Sequence, residues 1–301
     1  MRKRLLIITL AWFATHLYAQ TDKKNDKPAK EIQRTNFDAY AIFDKNGKKT
    51  DFATAIKTIL KSEVVFFGEL HDNPISHWLQ LQLVKEAYKV KKDKLMLSAE
   101  MFEADQQPLM DEYLAGIISQ KSFEEEMRLW KNYKTDYKPL LDFARDNKLK
   151  FICANIPRRY ASLVYKKGLE MLDSLTEEAK KYIAPLPVKF DAELKCYKDI
   201  LQNAAGHGGD NLAKAQAIKD ATMAWMITKN YIKDNFLIHL NGAYHSDFNE
   251  GTMWYLKQYY PALKTINITT VLQEDVTKLL PEHKNRADYI IVVPTDMCNT
   301  H

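Results

Sequence analysis

Six short apolar runs punctuate the chain, and several of them stop on polar residues. Val64–Phe67 ends at Gly68 and is followed by Glu69, His71 and Asp72; Lys94–Glu100 ends on an acid; Leu149–Ala154 runs into Asn155 and Arg158. Phe236–Leu240 leads to Asn241, Tyr244 and His245, and Ile266–Val271 and Tyr289–Val293 complete the set. Val64, Val65, Phe66 and Phe67 show no polar alternation, which predicts a strand covered on both faces. Between the runs the spacing predicts helices. Asn73 is a helix cap with Pro74 at the first helical position, and Leu79, Leu83 and Ala87 form the buried stripe that follows.

Strands alternating with helices predict an α/β fold with a mostly parallel central sheet flanked by helices. A hairpin is expected at Phe37–Phe52 around Asn46-Gly47, and a short helix at Ala53–Lys61. The helical stretches at about 105–145 and 160–235 read as an inserted helical subdomain. Residues 36–301 are therefore expected to form one domain.

The amino end has a different pattern. Arg2, Lys3 and Arg4 precede the apolar stretch Leu5–Leu17, which leads to Ala19 and a polar run. This predicts a signal peptide over residues 1–19, cut near Ala19, then a flexible tether over 20–35 and an exported, periplasmic or envelope-associated protein. Loss of the three basic residues takes the formal charge from +5 to about +2, which gives no argument for nucleic acid. Cys153, Cys196 and Cys298 are far apart and form no CxxC pattern, so neither a zinc knuckle nor covalent haem attachment is expected.

In a parallel sheet the residues after the strands converge on one edge. Glu69, His71, Glu100, Asn155, Arg158, Asn241, Tyr244 and His245 are thus candidates for a single site. Arg158 and Arg159 suit a clamp for carboxylates or phosphates, or equally a solvated pair opening a helix. Two segments share the form GxxH, Gly68–His71 and Gly242–His245. With 9 Gly and 8 His, roughly 0.2 such pairs are expected by chance. Two imidazoles with a carboxylate suit a divalent metal such as Zn, Mn or Fe, with His71, Glu100 and His245 as ligands and Glu69 as general base on bound water. Without metal the same groups make an acid/base pair or a polar cluster. His207, in a glycine-rich loop, is a further ligand candidate.

The segments GELHDNPISHWLQ, AEMFEADQQPLMDEYL, Trp130 with Tyr137, ANIPRRYASLV, QAIKDATMAWMI and HLNGAYHSDFNEG together resemble the ChaN family over about Val64–Leu256. That resemblance implies haem binding and iron uptake at a bacterial envelope, on an α/β core with a helical subdomain. The wider superfamily also holds Tiki-like metal-dependent proteases, whose paired GxxH motifs and intervening glutamate match His71, Glu100 and His245, and erythromycin-esterase-like proteins. Ser246 and Asp220 lie in matching segments without an assigned role. The chain departs from the lipoprotein members in having no cysteine at the signal end. Two functional readings follow, beside a blander third in which the fold and site persist in a structural or binding protein. One is an exported haem-handling protein, with Tyr244, His245 or His207 approaching the iron. The other is a metal-dependent hydrolase acting on a small-molecule or peptide ligand. Peripheral envelope association and a homodimer are further expectations.

Overall fold

The structure is a computed structural model and describes residues 38–203 and 209–300. The expected signal peptide, the tether and His207 lie outside these residues.

The chain opens with the antiparallel hairpin β1 (Ala41–Asp44) and β2 (Lys49–Thr50), closed at Gly47, which adopts φ +89°. Helix α1 (Phe52–Ile59) begins where Asp51 accepts from Thr54 N. Then β3 (Val64–Glu69) runs through the middle of the molecule with all six residues buried. Helix α2 (Pro74–Lys91) starts on Asn73, whose side chain accepts from Ser76 N, and buries Leu79, Leu83 and Ala87. A cap of this kind contributes about 1 kcal/mol.

Strand β4 (Leu95–Glu103) is followed by α3 (Gln107–Leu114), α4 (Gln120–Glu126), one π-helical segment at Tyr133–Tyr137 and α5 (Lys138–Asp146). Strand β5 (Lys150–Asn155) leads to α6 (Arg158–Lys167), α7 (Glu177–Lys180), α8 (Lys195–Asn203) and α9 (Gly209–Asn230). Strand β6 (Phe236–Gly242), α10 (Thr252–Tyr259), β7 (Thr265–Gln273) and β8 (Tyr289–Pro294) complete the chain. Among the described residues no helix is long and apolar enough to cross a membrane.

The eight strands form one sheet in the order β2-β1-β8-β7-β3-β6-β4-β5, with β8 through β5 parallel and the opening hairpin antiparallel. The expected α/β class with a mostly parallel sheet is borne out. One face packs Val65, Phe67, Leu97 and Leu240 against α2 and α5. The other packs Val64, Phe66, Met96 and Leu237 against α6, α9 and α10. Two buried layers explain the missing alternation in β3. Its neighbours are β6 and β7, so the chain crosses over β3 after β6, and the crevice at such a crossing lies beyond the strands' carboxy ends.

Candidate functional site

Three adjacent strands, β3, β6 and β4, bring their carboxy ends together, and Glu69 stands in register with Gly242. Because side chains alternate along a strand, Glu69 faces the α2 layer and Glu100 the α9 layer. The two halves of the site therefore come from opposite faces of the sheet. They meet over Gly242, where no side chain intervenes.

The α2 half is a buried hydrogen-bond set around Glu69. One carboxylate oxygen accepts from Tyr137 Oη at 2.7 Å and lies 2.9 Å from His71 Nδ1, while the other accepts from Gln80 Nε2 at 2.6 Å. Burial raises the acid's pKa, but His71, His77 and Tyr137 together hold it below the ordinary value. The π-helical segment matters here. Its wide turn buries the consecutive residues Asp136 and Tyr137. Tyr137 reaches Glu69, and Asp136 Oδ2 accepts from Asn132 Nδ2 at 2.7 Å and stands 3.4 Å from His77 Nε2. Single π turns inside helical stretches are frequent at functional sites. Asn132 Nδ2 also donates to the His71 carbonyl at 2.7 Å, and Trp130 sets its ring edge-on to the His71 imidazole at 4.9 Å between centroids.

The α9 half centres on His245. Its Nε2 lies 3.1 Å from Glu100 Oε1 and its Nδ1 2.5 Å from Asp220 Oδ1. Glu100 Oε2 accepts from Gly242 N at 2.7 Å. Asp220 is also held by Tyr197 Oη at 2.9 Å and Thr252 Oγ1 at 3.0 Å. Burial disfavours the imidazolium, yet the Glu100 and Asp220 carboxylates outweigh it and push the His245 pKa up to about 10. Glu100 moves the other way. Burial raises its pKa, and the charge and hydrogen bond of His245 lower it further than that, leaving it well below the carboxylate range.

The loop that carries His245 is pinned from beneath. Asn241 Nδ2 donates to Ser246 Oγ at 3.0 Å and Asn267 Nδ2 to the Ser246 carbonyl at 2.6 Å. Ser246 sits over Gly68, where an added Cβ would meet Ser246 Oγ at 3.3 Å and Ala243 Cα at 3.0 Å. Both roles missing from the sequence are now plain. Asp220 orients His245, and Ser246 anchors its loop.

These residues floor a cleft of about 1190 Å³. Its apolar walls include Met101, Leu129, Trp130, Ile156 and Leu272, and Arg128, Arg158, Lys219 and Arg286 bring positive charge to it. Tyr244 is 52% exposed beside it. Of the sequence candidates, Glu69, His71, Glu100, Asn155, Arg158, Tyr244 and His245 all line this cleft. Asn241 does not. It is wholly buried beneath the loop, with its amide on Gly242 O and Ser246 Oγ, so its place among the ligand-binding residues is corrected to that of a brace.

Two further expectations change. The metal set is not supported, since both nitrogens of His245 face carboxylates as hydrogen-bond donors. Among the described residues no group of three His, Cys, Asp or Glu is arranged to hold a metal ion. Glu69 has both oxygens occupied by protein donors, which suits it to orienting His71 and not to drawing a proton from water. Sequence reasoning missed Gln80, Asn132, Asp136 and Gln216, whose Nε2 lies 2.9 Å from His245 Nε2. Their signal was slight, although polar residues on the buried stripe of α2, such as His77 and Gln80, break its apolar pattern.

Comparison with known proteins agrees with this architecture. Residues 55–256 match the family described as haem-binding uptake, Tiki superfamily, ChaN. The solved structure "Cofacial heme binding to ChaN of Campylobacter jejuni" is 17% identical, with a TM-score of 0.62 over 84% of this chain and 96% of that chain, which shows the shared fold. A solved erythromycin esterase is 10% identical, with a TM-score of 0.44 over 74% of each chain. The Arabidopsis thaliana "Protein RETICULATA-RELATED 5, chloroplastic" is 23% identical over 230 residues, 70% of this chain, and this chain spans 31% of its length. With residues 55–256 matched by the family and the fold shared with a solved ChaN structure, the chain belongs to the ChaN family of haem-binding uptake proteins.

Proposed function

We propose that this protein binds haem in the cleft at the carboxy edge of the sheet and serves, as an exported protein, in haem or iron handling. The observation that carries the reading is the cleft of a ChaN-family chain: apolar walls, a half-exposed phenol and four cationic side chains in one space of about 1190 Å³. A porphyrin needs these features. Its faces are apolar and its propionates are anionic, so Trp130, Leu129, Ile156 and Leu272 suit the faces and Arg128, Arg158, Lys219 and Arg286 suit the acids. Arg128 already bonds Glu103 and Asp105, and Arg286 bonds Asp247 at 2.8 Å, which leaves Arg158 and Lys219 as the more available cations.

Of the axial candidates, Tyr244 fits best. His245 is spent on Glu100 and Asp220, and His207 lies outside the described residues. A phenolate is an established haem ligand. Bound haem would supply an iron centre for uptake and release; the chain's part would be to hold it, with Trp130, Leu129, Ile156 and Leu272 against the ring and Tyr244 toward the iron. Leu272, 47% exposed, and Tyr244 leave an apolar rim on which a second copy sits in the homodimer we propose.

Absorbance titration of the purified protein with haem tests the reading. A saturable Soret shift is expected, and Tyr244→Phe should weaken it by about tenfold or more, roughly 1.4 kcal/mol, without moving the melting temperature. No shift with the native protein would overturn haem binding, and an unchanged titration in the variant would remove Tyr244.

A second reading, a hydrolase, is favoured by one observation. Glu69 engages His71 Nδ1, so the remaining nitrogen, Nε2, stands against Gly242 in the cleft with no protein partner among the described residues. A carboxylate that fixes the tautomer of an imidazole makes its other nitrogen a base. In this reading His71 takes the role first expected of Glu69. Hydrolysis of ester or amide probes, abolished by His71→Ala and unaffected by chelators, would support it.

A further inference from the structure

The edge of the sheet opposite the cleft has a character of its own. Every parallel strand from β3 to β7 is entered from a loop carrying exposed lysine: Lys61 before β3, Lys92 and Lys94 before β4, Lys148 before β5, Lys233 before β6 and Lys264 before β7. In a parallel sheet these loops share one edge, so lysines far apart in sequence become neighbours. Side-chain contacts tie the edge together. Lys91 Nζ lies 4.9 Å from the Phe236 ring, joining the end of α2 to the start of β6, and Lys150 Nζ donates to Asn230 O at 3.2 Å, joining β5 to the end of α9.

Carboxylates on this edge are Glu63, Asp93, Asp146, Asp234 and, entering β8, Asp288, whose Oδ2 accepts from Asn267 N at 2.9 Å. Glu63 is taken by the Lys264 backbone N–H at 2.8 Å, and Asp146 by Arg145 at 2.9 Å. Among the described residues none of the six lysines forms an ion pair with a carboxylate, and Lys92 Nζ lies instead 5.2 Å from the Tyr88 ring.

Lysines in the last turn of a helix answer its dipole, which accounts for Lys91 and Lys229. It does not account for the aliphatic residues set among them. Val90 is 64% exposed at the end of α2 and Ile232 51% exposed between α9 and β6. Exposed aliphatic residues on an edge that also carries these ammonium groups match a bilayer surface, where cations meet anionic headgroups and apolar side chains enter the acyl boundary. A nucleic acid has no use for the aliphatic residues.

We propose that the amino-end edge of the sheet docks on a bilayer rich in anionic phospholipid, through these lysines with Val90 and Ile232, leaving the cleft at the opposite edge open to solvent. The attraction comes from headgroup charge and weakens with salt. The aliphatic contribution does not.

Co-sedimentation with lipid vesicles tests this on the full chain, so that residues outside the described region are common to every sample. Native protein should bind phosphatidylcholine vesicles containing phosphatidylglycerol far better than vesicles of phosphatidylcholine alone, and lose most of that preference at high salt. At about fivefold per lysine near an anionic surface, the combined Lys92→Glu, Lys94→Glu, Lys148→Glu and Lys233→Glu variant should bind at least about a hundredfold more weakly. Val90→Ser with Ile232→Ser should lower the binding that survives high salt. All six positions are at the surface, so the melting temperature should hold. Equal sedimentation of native protein and the four-lysine variant would overturn the proposal, as would equal binding to vesicles with and without phosphatidylglycerol. Binding to duplex DNA without binding to vesicles would reassign the face to nucleic acid and overturn it as well.

Discussion

The His71 imidazole lies against the backbone of Gly242, so closely that a Cβ on Gly242 would stand 2.6 Å from His71 Nε2. This contact joins the two halves of the site. It also explains why the second GxxH segment needs its glycine, since any side chain there would occupy the imidazole's place. Gly242→Ala should expel His71 from the cleft floor, break its bond to Glu69 and cost about 1–3 kcal/mol through overpacking. Imidazole NMR shifts and urea denaturation would measure both effects, and an unaltered His71 spectrum would sink the argument.

His245 neutralises two buried acids at once. With Glu100 at 3.1 Å and Asp220 at 2.5 Å, removing the imidazole leaves both carboxylates without their cation in a buried site. His245→Ala should therefore lose about 3–5 kcal/mol of stability. The loss should shrink in a His245→Ala variant that also carries Glu100→Gln and Asp220→Asn. A loss in the triple variant larger than in the single one would show that the cluster is held by something other than charge.

Two buried histidines set opposite pH limits. The folded-state pKa of His245 is raised to about 10, so its contribution is complete below the unfolded value near 6.5 and is lost as pH rises from there toward 10. Burial lowers the His239 pKa to about 3, so the unfolded chain takes up the proton first and stability falls as pH drops from 6.5 toward 3. Each limb has a slope of at most about 1.4 kcal/mol per pH unit. Melting temperature against pH should show a maximum near neutrality, and His245→Gln should flatten the alkaline side alone.

The far end of the chain crosses the His71 loop. Thr300 N donates to the Asp72 carbonyl at 2.9 Å, and Thr300 Oγ1 donates to Asp136 Oδ2 at 2.7 Å, the same oxygen that faces Asn132 and His77. Thr300→Val should release one hydrogen bond, worth about 1.5–3 kcal/mol to a charged acceptor before solvent replaces it. Amide exchange in Leu70–Asn73 should quicken while that of β3 holds. Thr300→Ser should restore protection.

Much of the fold was legible because its signals are local. Unalternated apolar runs identified the strands, Asn73-Pro74 the start of α2, and Asn46-Gly47 the hairpin. The convergence of Glu69, His71, Glu100 and His245 was also readable, since a parallel sheet brings its strand ends to one edge. What those residues do there was not. Whether an imidazole binds a metal or an acid depends on which group faces each nitrogen, and Asp220 meets His245 from a helix 25 residues away in sequence. Asn241 illustrates the same limit. It follows a strand like the other candidates, but side-chain alternation turns it beneath the loop, onto Ser246.

The sequence by itself determined the alternation of strands and helices, the helix caps and the list of polar residues at the strand ends, because propensity and burial act over a few neighbouring residues. The tertiary structure decided the strand order, the meeting of two sheet faces over Gly242, the pairing of His245 with two acids and the gathering of scattered lysines on the opposite edge. Those depend on contacts between residues distant in the chain, which loop closure and packing select and no local pattern encodes.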